Sequence, residues 1–195
     1  MDKVSYALGL SIGNNFQNSG IKNLQVNDFV KGLKDVLDEA APAISYDEAK
    51  QVINDYFTQL QKEKLEINKK AGEEFLSINK HKAGVVTLPS GLQYQVLKKG
   101  EGPKPTAHDK VKCHYHGTLI NGTVFDSSVQ RGEPAVFGVS QVIPGWVEAL
   151  QQMEVGSKWR LFIPSELAYG EHGAGDAIEP NSALVFDVEL LDIVK

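Results

Sequence analysis

The spacing of apolar residues changes period part-way along the chain. Val4, Leu8, Ile12 and Phe16 recur every four residues and predict a helix that stops at Gly20. Phe29, Val30, Leu33, Val36 and Leu37 predict a second helix, with Asn27 as its cap. Ser45 and Glu48 have capping-box spacing, and no proline follows until Pro89. A third helix is therefore predicted over about 46–82, roughly 55 Å long at 1.5 Å per residue. Its apolar residues form a dense group, Val52, Ile53, Tyr56, Phe57 and Leu60, then a thinner stripe of Ile67, Ala71, Phe75 and Ile78. Two short helices cannot cover such a rod, so the pattern predicts a second chain or an extended stalk. A break near Gly72 is the alternative.

Beyond residue 83 the period falls to two. Val111, Cys113 and Tyr115 alternate with Lys112, His114 and His116, and Asn121-Gly122 signals a hairpin. Leu184, Phe186, Val188 and Leu190 alternate in the same way with Val185, Asp187 and Glu189. Further strands are predicted in "LPSGLQYQVLKKGEG" and "SKWRLFIP". One short helix interrupts them: Trp146, Ala149, Leu150 and Met153 share a face, with Pro144 in the first turn. The expected fold class is α+β. An all-α N-terminal domain and a long connecting helix precede an antiparallel sheet with a short helix packed across it.

Composition narrows the function. Of 195 residues, 42% are hydrophobic and 23% charged, as in ordinary soluble domains, so a sizeable core can form. The net charge of −5 argues against a nucleic-acid binder, which needs a basic footprint. Cys113 is the only cysteine, so no intrachain disulfide can form. No apolar run has the length of a membrane span. Ser5, Tyr6 and Gly9 interrupt the N-terminal apolar run, and Asn14 and Asn15 follow it, which argues against a signal peptide. A cytoplasmic location is expected, or a periplasmic one if a leader has been removed.

Candidate chemistry is sparse. No P-loop, nucleophile elbow or zinc-ligand spacing is present, so no metal or cofactor is expected. Cys113 reads as a small core residue. His114 and His116 share the outer face, where a metal could bridge them, although a solvated strand face is the simpler reading. Asp126 and Arg131 stand five apart among Phe125, Phe137, Val142, Ile143 and Trp146, a setting that favours a buried ion pair. Strict alternation would send Phe125 and Asp126 to opposite faces, so both can line one cavity only if the strand bulges. A glycine-rich irregular run, "IPSELAYGEHGAGDAIEP", holds Tyr169. These residues describe an apolar binding pocket with few polar groups.

Four stretches are recognisable together: "VKCHYHGTLINGTVFDSS", "VIPGWVEAL", "MEVGSKWRLFIPSELAYG" and "LVFDVELL". From about Leu88 onward the chain closely resembles the FKBP-type peptidyl-prolyl cis-trans isomerases. "SYALGLSIGNNF" is similar to the start of the bacterial macrophage-infectivity-potentiator-like branch. The resemblance implies a helical dimerisation domain over 1–45, a connecting helix over 46–83 and an isomerase domain over 84–195, its bent sheet wrapped around one helix. It implies catalytic roles for Tyr115, Phe125, Asp126 and Tyr169. It implies substrate-binding roles for Arg131, Phe137, Val142, Ile143, Trp146, Ile178 and Phe186, with Trp146 as the pocket floor. Asp126 then becomes a carboxylate held by Arg131, neither acid catalyst nor metal ligand.

The chain departs from the family pattern at Ala135, often Phe, at Ala174, often His, and at Ala177, often a larger aliphatic. The segment from Phe137 to Trp146 is also shorter than in small eukaryotic members. These departures imply a pocket wider on one side and weaker binding of macrolide inhibitors. The implied partners are proline-containing peptides, unfolded or partly folded proteins and a second copy of the chain. Rival readings are a dimeric folding chaperone whose cleft holds nonnative chains, with isomerase activity secondary, and a binding module without turnover.

Overall fold

A computed structural model describes residues 1–194. The chain divides into two compact units, residues 1–62 and 63–195. Helix α1 (Lys3–Asn18) starts at Asp2, whose carboxylate accepts the Ser5 N–H, and ends before Gly20, which has φ of 75°. Helix α2 (Val26–Leu37) starts at Gln25, not at Asn27. Asn27 lies inside the first turn, and the N-terminus carries no side-chain cap. Phe16 and Phe29 meet edge to face, 5.4 Å between ring centres. Neither α1 nor α2 has a buried residue.

Helix α3 (Tyr46–Asn79) runs 34 residues without a break. Ser45 Oγ accepts the Glu48 N–H, half of the expected capping box. Gly72 does not interrupt the helix. It is buried, and an added Cβ there would lie 3.0 Å from Ala183 Cβ. The glycine is a point of close approach.

The second unit holds an antiparallel sheet of β1 (Val85–Thr87), β2 (Gln93–Lys98), β3 (Lys110–Leu119), β4 (Val124–Ser127), β5 (Ala135–Gly138), β6 (Lys158–Ile163) and β7 (Leu184–Val194). Its order is β1-β2-β6-β7-β3-β4, with β5 on the β4 side of β3. A single-turn helix, α4 (Ser128–Arg131), separates β4 from β5. The β3–β4 hairpin closes at the predicted place, with a different turn. The Gly122 N–H donates to the Leu119 carbonyl, and Gly122 alone in the turn has positive φ, 88°. The central turn residues are thus Ile120 and Asn121, with Gly122 following them.

Helix α5 (Pro144–Leu150) lies across the concave face of this sheet. Pro144 is in its first turn, and Trp146, Ala149, Leu150 and the following Met153 are all buried. They meet the inward row of β3 (Val111, Cys113, Tyr115) and of β7 (Leu184, Phe186, Val188, Leu190). The period-two pattern thus becomes one core.

Cys113 sits at the centre of that core with no exposure, and burial pushes its thiol up to about 12. Thiolate is the reactive form. Labelling by an aromatic disulfide at pH 8 is expected to be at least about a hundredfold slower in the native chain than in denaturant. Equal rates would show that Cys113 is reachable.

Candidate active site

The site begins with a gap in the sheet edge. Strand β3 is paired along one side by β7 over Lys110–Leu119. On its other side, β5 pairs only Lys110–Cys113 and β4 only His116–Thr118. Tyr115 falls between them. Ser128 fills the gap: its Oγ accepts the Tyr115 N–H at 2.7 Å and donates to the Tyr115 carbonyl at 3.2 Å. A buried backbone pair is thereby satisfied without a strand. Ser127 caps α4 by accepting the Gln130 N–H, and the chain turns away through Gly132.

The expected bulge is present. Gly117 pairs with Asp126 and Thr118 with Val124, so Phe125 has no partner on β3. Phe125 and Asp126 therefore line the same cavity. Gly117 makes this possible. A Cβ there would lie 2.7 Å from the Phe125 ring and 2.8 Å from the Phe186 ring.

The cavity measures about 530 Å³, within the usual range for small-ligand sites. Trp146 forms its floor, held at 81–84° to three rings: Tyr115, Phe137 and Phe186, with centres 5.5, 5.7 and 5.3 Å away. Phe125 stands edge-on to Phe186 at 5.3 Å. Such edge-to-face packing fixes ring orientation beyond what burial alone achieves. Val142 and Ile143 close one side from the start of α5. Tyr169, Ala174, Ala177 and Ile178 close the other from the loop before β7.

One polar cluster faces this apolar box. The Tyr115 hydroxyl donates to Asp126 at 2.5 Å and accepts from Arg131 Nη2 at 2.8 Å. Arg131 Nη1 donates to the other Asp126 carboxylate oxygen. The guanidinium also lies over the Tyr115 ring, 5.6 Å from its centre. Partial burial pushes the Asp126 carboxyl up, but the hydrogen bonds from Tyr115 and Arg131 outweigh it and hold it below its ordinary range. The Tyr115 phenol is raised by burial and then by its bond to Asp126. The Tyr169 phenol is raised by burial and by the Asp126 charge.

All the expected site residues except Arg131 line the cavity. Arg131 reaches it only through Asp126 and Tyr115. The pair is also less buried than its neighbours in sequence suggested. The Arg131 side chain is 52% exposed and that of Asp126 43%, which places them at the rim. Gln141 lines the cavity and carries no signal in the sequence beyond its place before Val142. Ala174 and Ala177 are wall residues, whereas Ala135 pairs with Cys113 and packs on the core. His114 and His116 lie beside a separate surface groove, with Nδ1 3.1 Å from Ser128 Oγ and 2.9 Å from Ser127 Oγ.

The family described as "FKBP-type peptidyl-prolyl cis-trans isomerase" matches residues 102–191. The "domain amino terminal to FKBP-type peptidyl-prolyl isomerase" matches residues 1–96. The chain belongs to the FKBP-type peptidyl-prolyl cis-trans isomerases. It is 47% identical over 195 residues to the FKBP-type 22 kDa peptidyl-prolyl cis-trans isomerase of Escherichia coli K12, covering 98% of this chain and 95% of that one. It is 45% identical over 201 residues to the protein of Legionella longbeachae named "Outer membrane protein MIP", covering 100% and 86%. The crystal structure of FkpA from Escherichia coli superposes with a TM-score of 0.80 at 38% identity, covering 98% of this chain and 95% of that one.

As an FKBP-type isomerase the chain is an enzyme that speeds rotation about X-Pro bonds. Its cavity lining includes no thiol, amine or imidazole, and bond rotation asks for none.

The rim cluster orders two stabilities. Asp126→Ala removes an acceptor shared by Tyr115 and Arg131, at a cost of about 1 kcal/mol for a half-exposed charged bond. Tyr169→Phe removes a hydroxyl on a side chain already 38% exposed, at a smaller cost. Denaturant titration is expected to give the lower midpoint for Asp126→Ala. Equal midpoints and slopes would mean that the carboxylate contributes nothing to the fold.

Proposed function

We propose that the enzyme works by stabilising the twisted amide without covalent chemistry. The barrier of about 18–20 kcal/mol is lost amide resonance, and the planar amide is the more polar state. A pocket that strips water from the amide destabilises the planar form more than the twisted one. The observation that supports this reading is the floor of Trp146 under three orthogonal rings, with the charged Asp126 half-exposed at the rim. The proline ring would lie on Trp146, between Phe137, Val142 and Ile143. Tyr169 and the backbone N–H of Ile143 would hold the flanking carbonyls. Asp126, fixed by Arg131 and Tyr115, would polarise the rim. Catalysis then consists of binding the twisted form better than either planar one.

This reading has a pH signature. Asp126 is held below its ordinary 3.8, so it stays a carboxylate at all higher pH. Tyr115 and Tyr169 are raised above 10.0, so both stay phenols below that value. Between these limits no cavity group changes charge. kcat/KM on a proline peptide without titratable side chains is expected to be flat from about pH 6 to 9, where acid–base enzymes show a bell. A tenfold change centred between pH 6 and 7.5 would implicate a histidine, and the mechanism would fail.

We infer that residues 1–62 form a homodimer with a second copy. Those residues leave apolar surface without a partner in their own unit. Val4 is 68% exposed, Leu8 60% and Leu37 71%, and no residue of α1 or α2 is buried. A helix pair with no core of its own needs a partner, and an identical face is the simplest one. Light scattering of the full chain is expected to report twice 21.4 kDa. A monomer at micromolar concentration would overturn this assignment.

The isomerase reading is favoured over the chaperone one, because the matched families and the Escherichia coli relative are described by isomerase names. The cytoplasmic location expected from the sequence finds no support. The name of the Legionella relative favours the cell envelope, and we take that placement instead. No helix of the described residues is long and apolar enough to cross a membrane. Ala174 and Ala177 leave one wall short of side chain, so macrolide inhibitors would lose contact there.

A further inference from the structure

Helix α3 reaches the loop that closes the cavity. Within the second unit, Asn68 Nδ2 donates to the Pro180 carbonyl at 3.0 Å and to a Glu179 carboxylate oxygen at 3.2 Å. Lys64 pairs with the other Glu179 oxygen at 3.2 Å. Asn181 Nδ2 donates back to the Leu65 carbonyl at 3.4 Å. One turn further along, Gly72 allows Ala183 to lie against the helix. Every residue from Glu179 to Asn181 is therefore tied to the face of α3 that carries Lys64, Leu65 and Asn68.

The tied residues adjoin the cavity wall on both sides. Ile178, which lines the cavity, directly precedes Glu179. It is bridged to Ala174, another wall residue, by backbone hydrogen bonds of 2.9 and 3.1 Å. The Asn181 N–H donates to the Gly170 carbonyl at 2.8 Å, one residue from Tyr169. Asn181 also holds a left-handed backbone, φ 56°, uncommon outside glycine and best tolerated by asparagine. Between Pro164 and Leu184 the chain has two short 3-10 turns and that one bridge as its regular structure. A segment with so few backbone bonds depends on outside contacts for one arrangement.

We propose that Asn68, supported by Lys64, is a positioning residue for the isomerase reaction: by clamping Glu179–Asn181 it sets where Ile178 and Tyr169 stand in the cavity. The proposal rests on the reading of that cavity as the substrate site. The connecting helix then does more than separate two domains, because its residues 64–72 belong to the machinery of the site.

The two roles differ in kinetics. If the loop is released, only a fraction of molecules holds the competent wall, and the apparent substrate affinity falls by that fraction. Once substrate is bound the wall is in place, so turnover is kept. A residue that only adds to global stability changes neither parameter in the folded enzyme.

The test uses the full-length chain and a proline tetrapeptide. Alanine favours helix, so Asn68→Ala keeps α3. KM is expected to rise about threefold or more with kcat within about 1.5-fold. Amide exchange at Ala174 and Ile178 should speed up by a similar factor while Val188, in the sheet centre, stays unchanged. Asn68→Asp, which sets a carboxylate against Glu179, is expected to raise KM further. An unchanged KM in both variants, or exchange that rises equally at Val188, overturns the clamp. Ile178→Ala and Tyr169→Phe serve as controls. If these also leave kcat/KM unchanged, the reading of the cavity fails; if they lower it while Asn68→Ala does not, only the clamp fails.

Discussion

The site depends on a missing stretch of sheet. Were β4 and β5 one continuous edge strand, Tyr115 would be paired to a backbone and its ring would face an ordinary core. The chain instead leaves the edge for one helical turn, and a single hydroxyl, Ser128, takes over both backbone bonds of Tyr115. That substitution frees space without leaving an orphaned amide, whose burial would cost a few kcal/mol. Four consequences follow from the detour. Phe125 bulges inward, Asp126 turns to the rim, Arg131 swings back over the Tyr115 ring, and Phe137 re-enters as a wall.

Electrostatics and packing divide the labour cleanly. The box above Trp146 is lined mostly by apolar side chains, and the opposite charges of Asp126 and Arg131 meet at its mouth. Half-exposed, the Asp126–Arg131 pair avoids most of the desolvation penalty that a buried pair would meet. Tyr115 connects the two regions: its ring packs on Trp146 while its hydroxyl belongs to the cluster. A pocket built this way has a fixed field at its rim and no group poised to change charge near neutrality.

Much of this was legible in the sequence where the physics is local. Period-two alternation in β3 and β7 fixed their inward rows, and the spacing of Trp146, Ala149, Leu150 and Met153 fixed the buried face of α5. The bulge at Phe125 followed from requiring two adjacent residues to face one cavity. What failed was decided elsewhere in space. Tyr115 joins Asp126 through the register of neighbouring strands, which no spacing rule encodes. The exposure of the ion pair depends on where the detour leaves it. Asn27 lost its cap role because the helix starts two residues earlier than that cap requires, and Asn121-Gly122 gave the hairpin but not the turn type. Ala135 was expected to widen the pocket, yet its register against Cys113 turns it to the core. The bonds from Asn68 span 111 and 112 residues of sequence.

Rotation about an amide sets an unusual demand on an enzyme. Planar and twisted forms share every atom and nearly every contact, so no single strong interaction can separate them. Discrimination must come from many weak differences in solvation and shape, and weak differences survive only when the walls do not move. A wall that spends much of its time displaced offers the discriminating shape in only a fraction of molecules, and apparent affinity falls by that fraction. The rings around Trp146 are rigid by their own packing. The loop carrying Tyr169 and Ile178 has no such packing, and its backbone forms few bonds of its own. Rigidity on that side has to be imported. A stiff element is at hand in α3, whose backbone ladder runs 34 residues, whose Leu65 carbonyl accepts a bond from the loop and whose Asn68 side chain donates to it. On the clamp proposed for Asn68, the long helix is thus also a straightedge against which the Tyr169 and Ile178 side of the candidate site is aligned.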